Sequence, residues 1–174
     1  MIKYKSKLLS SIEGISYNFG SKSSMPIKED VFTLNQIHSD KVIFLKNTDK
    51  NYEPFDGDAI ITTQKRFNIG VKTADCVPIL LTDINATFVA AIHSGWRGTY
   101  HKIIVNVLDL IFKELMIKPE NIIGCLGPSI SLENYEVSED MCIKFKKKFK
   151  NSDSFIKEKN NKFFIDLSRI NIFL

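Results

Sequence analysis

At 174 residues with 44% hydrophobic content, the chain is long enough to bury roughly two-thirds of its unfolded surface, so one self-sufficient domain over residues 1–174 is expected. Lysine and arginine exceed aspartate and glutamate only by 24 to 20, too mild a bias to argue for a nucleic-acid partner, and no apolar run approaches the roughly 20 residues of a membrane span. The three cysteines, Cys76, Cys125 and Cys142, and the lack of an apolar leader after Met1-Ile2-Lys3-Tyr4-Lys5 fit a reducing cytoplasm.

In chain order, Tyr17-Asn18-Phe19-Gly20 suggests a short strand entering a turn, and residues 21–24 are polar and loop-like. Val31-Phe32-Thr33-Leu34 predicts a strand that ends in the hydrogen-bonding cluster Asn35-Gln36-Ile37-His38-Ser39-Asp40, with residues 42–45 as the next strand. Residues 46–54 are turn-prone, and in Phe55-Asp56-Gly57-Asp58 the glycine is expected to adopt a backbone conformation its neighbours avoid. A buried strand resumes at residues 59–63. The alternation of Phe67, Ile69 and Val71 with Asn68, Gly70 and Lys72 then predicts a half-buried strand delivering Thr73-Ala74-Asp75-Cys76 at its end. Pro78 argues against a helix starting there.

The apolar run over residues 87–92 is of strand length and stops at His93-Ser94-Gly95-Trp96-Arg97-Gly98-Thr99, a loop that opens a helix. Over residues 102–117, Ile103, Ile104, Val107, Leu108, Leu110, Ile111 and Leu115 recur at three- and four-residue spacings until Pro119 ends the pattern. Residues 122–126 read as another buried strand, Gly127-Pro128-Ser129-Ile130 as a turn, and residues 138–150 as a second helix. Residues 151–161 are a polar connection, Phe163-Phe164-Ile165 a short strand, and Asp166 the N-cap of a last helix through Leu167, Ile170 and Phe173. Strands interleaved with helices imply a mixed-sheet α/β architecture of the α+β type.

His38, Cys76 and His93 each stand at the end of a strand-like run, in loops that a rigid scaffold can bring together. Two imidazoles and a thiolate make a three-ligand zinc set that leaves a fourth position open for chemistry. The same donors suit blue copper, which usually adds an axial methionine; Met116 and Met141 lie outside these loops. Alternatively the three are packing or turn residues, or Cys76 and His93 form a hydrolase dyad. Arg97 at the start of a helix fits an anion such as phosphate, or pairs with a carboxylate. Trp96 stacks on a planar base or packs in the core. Asp75, Asn35 and Gln36 are candidates to orient ligands or the base. Lys144, Lys146, Lys147, Lys148 and Lys150 make a basic helix read as a solvated face, with Phe145 and Phe149 together on another.

The ordered blocks Asn35-Gln36-Ile37-His38, Asp56-Gly57-Asp58-Ala59, Thr73-Ala74-Asp75-Cys76-Val77-Pro78, His93-Ser94-Gly95-Trp96-Arg97-Gly98 and Leu126-Gly127-Pro128-Ser129-Ile130 resemble the YfiH or laccase-domain family, also called bacterial polyphenol oxidases. The family's usual alanine in the fourth block is Ser94 here. The resemblance implies a compact α/β domain of central mixed sheets flanked by helices, related to the cysteine-hydrolase fold of the cytotoxic necrotizing factor toxins. It implies His38, Cys76 and His93 as zinc ligands, with copper the lesser alternative. It also implies a purine nucleoside enzyme, working by phosphorolysis with phosphate or by adenosine deamination. In that enzyme His38, Cys76, His93, Arg97 and Asp75 would be catalytic, and Asn35, Gln36, Trp96 and Arg97 would bind substrate. Copper-dependent phenol oxidation, peptidoglycan-precursor editing and a non-catalytic metal-binding module are the other readings. The expected assembly is a monomer or weak homodimer without nucleic acid or membrane. Relatives usually continue through a cysteine-threonine stretch and a Tyr-Arg-Arg block, so a short form of the domain is expected.

Overall fold

A computed structural model describes residues 4–20, 31–46 and 54–174. The loop expected at residues 21–24 and most of the turn at residues 46–54 lie outside them, as do the first three residues of the chain. In order, the elements are α1 (Lys7–Ser10), β1 (Val31–Thr33), β2 (Val42–Leu45), β3 (Ala59–Thr62), β4 (Asn68–Gly70), β5 (Val77–Asp83), β6 (Val89–Ser94), α2 (Trp96–Tyr100), α3 (Ile103–Leu115), β7 (Ile122–Leu126), β8 (Glu136–Val137), α4 (Glu139–Lys148), β9 (Ile156–Lys159), β10 (Lys162–Ile165) and α5 (Leu167–Phe173).

The main sheet has five strands in the order β2-β3-β6-β5-β7. Its β2 and β3 run parallel and every other neighbouring pair antiparallel, which makes it the mixed sheet that the interleaving of strands and helices implies. Side chains alternate across a strand, and here the alternation divides the core. Ala59 and Ile61 of β3 join the large cluster with Ile103, Val107 and Ile111 of α3, whereas Ile60 joins Leu34 and Leu45 on the opposite face, under Phe32, Phe67 and Ile69. The small parallel pair β1 and β4 therefore covers one face and the helices the other, which is why all four residues of β3 are buried. The antiparallel sheet β8-β10-β9 is the third layer, and Phe145, Phe149, Phe155 and Ile165 join it to the core.

Several expectations change. Residues 17–20 form no strand; instead the Tyr17 hydroxyl accepts from Ser6 N at 2.6 Å and donates to Ser6 O at 2.9 Å. Residues 77–83, for which the sequence says only that no helix starts at Pro78, form a central strand. In an antiparallel strand both polar groups of a residue face the same neighbour. The Pro78 carbonyl accepts from Gly127 N, one residue past the ladder that starts at Ile79 and Leu126, so the missing N–H faces a place where no ladder bond is needed. The helix expected over residues 102–117 begins after Lys102, which takes a left-handed conformation and separates α2 from α3. The β7 strand is only partly buried, and the polar connection over residues 151–161 contains β9. Gly57 is absent from the positive-φ residues. Its requirement is space, because a Cβ there would meet Ile43 Cγ1 and Leu34 Cδ1, both at 3.2 Å.

The last two helices follow the sequence closely. The Ser138 and Asp166 side chains accept from Met141 N and Arg169 N at the starts of α4 and α5. Phe145 and Phe149 are buried while the five lysines around them are exposed, so the basic face is solvated. Among the described residues no helix is long and apolar enough to cross a membrane.

Candidate functional site

The register of the main sheet brings the expected ligands to one end. Val42 pairs with Ala59, Ala59 with Ile92, and Val77 with Ser94, so the residues before β2, before β3 and before β5 meet the end of β6. His38, Cys76 and His93 arrive there together, and their ligand atoms all lie within 4.8 Å of one another. The two imidazoles meet edge to face, with ring centroids 4.8 Å apart. His93 is buried, Cys76 half-buried and His38 exposed, so the triangle has a closed floor and an open mouth.

Asp58 organises this triangle. Its Oδ1 accepts from His38 N at 3.0 Å and lies 2.8 Å from His93 Nδ1, while its Oδ2 accepts from Ser39 N at 2.6 Å and Ser39 Oγ at 2.7 Å. Its carbonyl takes the His93 N–H at 2.7 Å. With Nδ1 carrying the proton toward Asp58, the Nε2 lone pair of His93 is directed into the triangle. Burial by itself would raise the Asp58 carboxyl, but the hydrogen bonds from His93 and Ser39 outweigh it and hold the group below the ordinary aspartate range. The same bonds hold His38 at φ 57°, a left-handed conformation that a side chain other than glycine takes only when its surroundings enforce it. Asn106 on α3 adds a clamp, donating to Asp40 Oδ2 at 3.1 Å.

The opposite wall depends on a missing atom. Gly95 faces Cys76 across the β5–β6 end, and a Cβ at Gly95 would sit 3.0 Å from Cys76 Sγ and 3.5 Å from His38 Cδ2. Its backbone is ordinary extended chain, so glycine is required there for room alone. Gly95→Ala is expected to displace the thiol and lower metal affinity by about tenfold, with little change in thermal stability; titration with zinc in the presence of a chromogenic chelator checks this, and unchanged affinity counts against it.

Burial pushes the Cys76 thiol above its ordinary range, and the carboxylates of Asp75 and Asp58 add to the shift. A bare thiolate nucleophile is thereby disfavoured, whereas a cation in the triangle would stabilise the thiolate. Two nitrogens and a sulfur converging on one point, with His93 already oriented by a carboxylate, fit a zinc-type ion.

The remaining expected residues are spread around this centre. Asp75 is exposed beside Cys76, and its carbonyl accepts from Ile130 N at 2.9 Å. Asn35 donates to Asp56 Oδ1 at 2.5 Å, and Gln36 makes a two-way clip with the backbone of Lys72 at 2.8 and 2.7 Å, so both tie loops together. Arg97 is exposed, has no carboxylate partner among the described residues, and stacks over Trp96 with 4.5 Å from its guanidinium carbon to the ring. Trp96 itself packs against the core. The functional roles of Asp58 and Gly95 were not legible, although both stand inside the quoted blocks. Tyr135, which the sequence does not single out, is half-buried, and burial together with the charge of nearby Cys76 raises the phenol.

The family model described as multi-copper polyphenol oxidoreductase laccase matches residues 18–173. The chain belongs to this laccase-domain family. A purine nucleoside phosphorylase of Aquifex aeolicus is 39% identical over 142 residues, covering 82% of this chain and 62% of that protein. One from Bacteroides thetaiotaomicron is 40% identical, covering 66% and 43%. The crystal structure of a Neisseria meningitidis protein superposes with TM-score 0.72 at 30% identity, covering 82% of this chain and 57% of that one. A Bacillus licheniformis YfiH structure shares the fold with TM-score 0.73 at 23% identity, covering 82% and 57%. The chain thus spans 62% or less of the length of these laccase-domain relatives.

Proposed function

We propose that this laccase-domain chain carries the metal centre of a purine nucleoside phosphorylase, with His38, Cys76 and His93 holding Zn²⁺. The observation that carries the reading is the convergence of those three ligand atoms within 4.8 Å, in a chain whose relatives bear that name. When bound, the ion supplies Lewis acidity to the open mouth of the triangle. Asp58 keeps His93 in the tautomer that presents Nε2, and Gly95 keeps the thiol side of the triangle unobstructed.

Arg97, charged and unpaired by any described carboxylate, holds inorganic phosphate beside this mouth, and Trp96 supports its guanidinium from beneath. In the reaction a phosphate oxygen bonds to the ribose anomeric carbon as the bond from that carbon to the purine nitrogen breaks. The electron pair leaves on the purine, which takes the proton brought in by monohydrogen phosphate, giving free base and ribose 1-phosphate. Asp75, Asn35 and Gln36 are candidates to orient the nucleoside. Free thiols at Cys76, Cys125 and Cys142 suit a cytoplasmic setting.

The test is product analysis with inosine and adenosine, with and without phosphate, alongside elemental analysis that separates zinc from copper. Release of base that requires phosphate, together with about one zinc per chain, is expected; phosphate-independent release of inosine from adenosine would replace phosphorolysis by deamination. Arg97→Ala is expected to keep the metal and raise the phosphate KM by about tenfold or more, the effect of losing one charge-assisted contact. An unchanged phosphate KM in that variant removes Arg97 from the anion site.

A further inference from the structure

We propose that Asn171, on the C-terminal helix α5, is a positioning residue for the turn that carries Trp96 and Arg97, acting through Ser94 and Thr99. The proposal rests on the reading of Arg97 as the group that holds phosphate.

The turn is short and its two ends are pinned at one buried place. Ser94 closes β6 and Thr99 lies in α2, with only Gly95, Trp96, Arg97 and Gly98 between them. Ser94 Oγ donates to Asn171 Oδ1 at 2.9 Å, Asn171 Nδ2 donates to Thr99 Oγ1 at 3.0 Å, and the two hydroxyls are 2.9 Å apart. Donor counting closes the circuit: the Ser94 proton is committed to Asn171, so Thr99 must donate to Ser94. The second amide proton of Asn171 goes to Leu167 O at 2.8 Å. Every donor in the ring is used, and all three side chains are shut off from solvent. In such surroundings a complete ring rigidifies what it joins, because any opening leaves a buried polar group unpaired.

Asn171 is a firm anchor because Leu167 and Ile170 root α5 in the core and Asp166 caps it. The helix therefore serves the turn as an outside strut. His93 needs no such help, since Asp58 and the pairing opposite Pro78 already hold it. The two supports divide the work: Asp58 fixes the metal side and Asn171 fixes the side that carries Arg97.

The chain's only tryptophan, Trp96, reports on this turn directly. The comparison uses wild type, the near-isosteric Thr99→Val, the hydroxyl-preserving Thr99→Ser, and Asn171→Ala. In Thr99→Val and Asn171→Ala, well below the melting temperature, acrylamide quenching of Trp96 is expected to rise about twofold as the turn opens. Inorganic phosphate, titrated by Trp96 emission, should bind about tenfold more weakly in both, with metal content unchanged and Thr99→Ser like wild type. If Asn171→Ala fails to fold, the two Thr99 variants carry the test. Equal quenching in folded Thr99→Val and wild type overturns the proposal, as does a metal content that falls in step with phosphate affinity. If quenching rises as expected while wild-type emission ignores phosphate, the positioning role stands and the phosphate role of Arg97 falls.

Discussion

Cys76→Ala is expected to abolish metal binding and to lower phosphorolysis by on the order of 10³-fold, the scale of losing a principal electrostatic stabiliser. The removed sulfur is the only anionic donor of the triangle, and two imidazoles alone make a poor site for an ion that ordinarily takes three protein ligands. Elemental analysis after dialysis and a single-turnover assay check the two parts. Cys76 is only partly buried and Gly95 leaves room beside it, so circular dichroism should find the variant folded. Metal at the wild-type level would sink the assignment of the thiolate. Activity that survives a chelator but disappears with Cys76 would return the site to the cysteine-hydrolase reading.

Asp58→Asn should weaken metal binding by about 10- to 100-fold without touching a ligand, the usual scale for a partner of a ligating histidine. The amide can still accept from one side, but its Nδ2 turns toward the Ser39 N–H, which is itself a donor, while the Ser39 hydroxyl can rotate to accept from it. Leaving that N–H without its acceptor in a part-buried place costs about 1 kcal/mol of stability, the low end for an unsatisfied donor. The pH dependence follows from the direction of the shift. Because the folded protein holds the carboxyl below its unfolded value, its contribution is complete above the ordinary aspartate range and is lost as pH falls through the folded value. Wild type should therefore lose stability on acidification below about pH 4, and Asp58→Asn should lose less over the same window. Denaturant midpoints measured across that range, with equal slopes in both proteins, would rule Asp58 out as the organiser.

Much of the architecture was readable because its signals are local. The heptad-like spacing in α3, the caps Ser138 and Asp166, and the alternation through residues 67–72 each act within a few residues. The three proposed ligands were also legible, since each ends a strand-like run and the resemblance ordered them. What escaped depends on distant pairing. Val77–Asp83 reads as a strand only once β6 and β7 supply its neighbours, and the place of Pro78 depends on Gly127 beyond a ladder's end. Asp58 looks like any acidic turn residue until the register of β3 against β6 sets it beside His93. The requirement for glycine at position 95 is set by a sulfur on another strand, which no local preference encodes. Asn35 and Gln36 offered hydrogen bonds as expected, but what they bind is decided by loops that fold against them.

The ring of Ser94, Thr99 and Asn171 also constrains how this sequence can have come about. A serine at position 94 without Asn171 would still pair with the Thr99 hydroxyl, whereas an asparagine at 171 facing an alanine would bury an unpaired carboxamide oxygen. Asparagine without the serine is thus expected to cost stability that the pair together recovers, which makes the two positions epistatic. The order of substitution then matters. In laccase-domain chains that carry alanine at the place of Ser94, the residue aligned with Asn171 should be released from its amide, and grafting asparagine alone into such a chain should destabilise it.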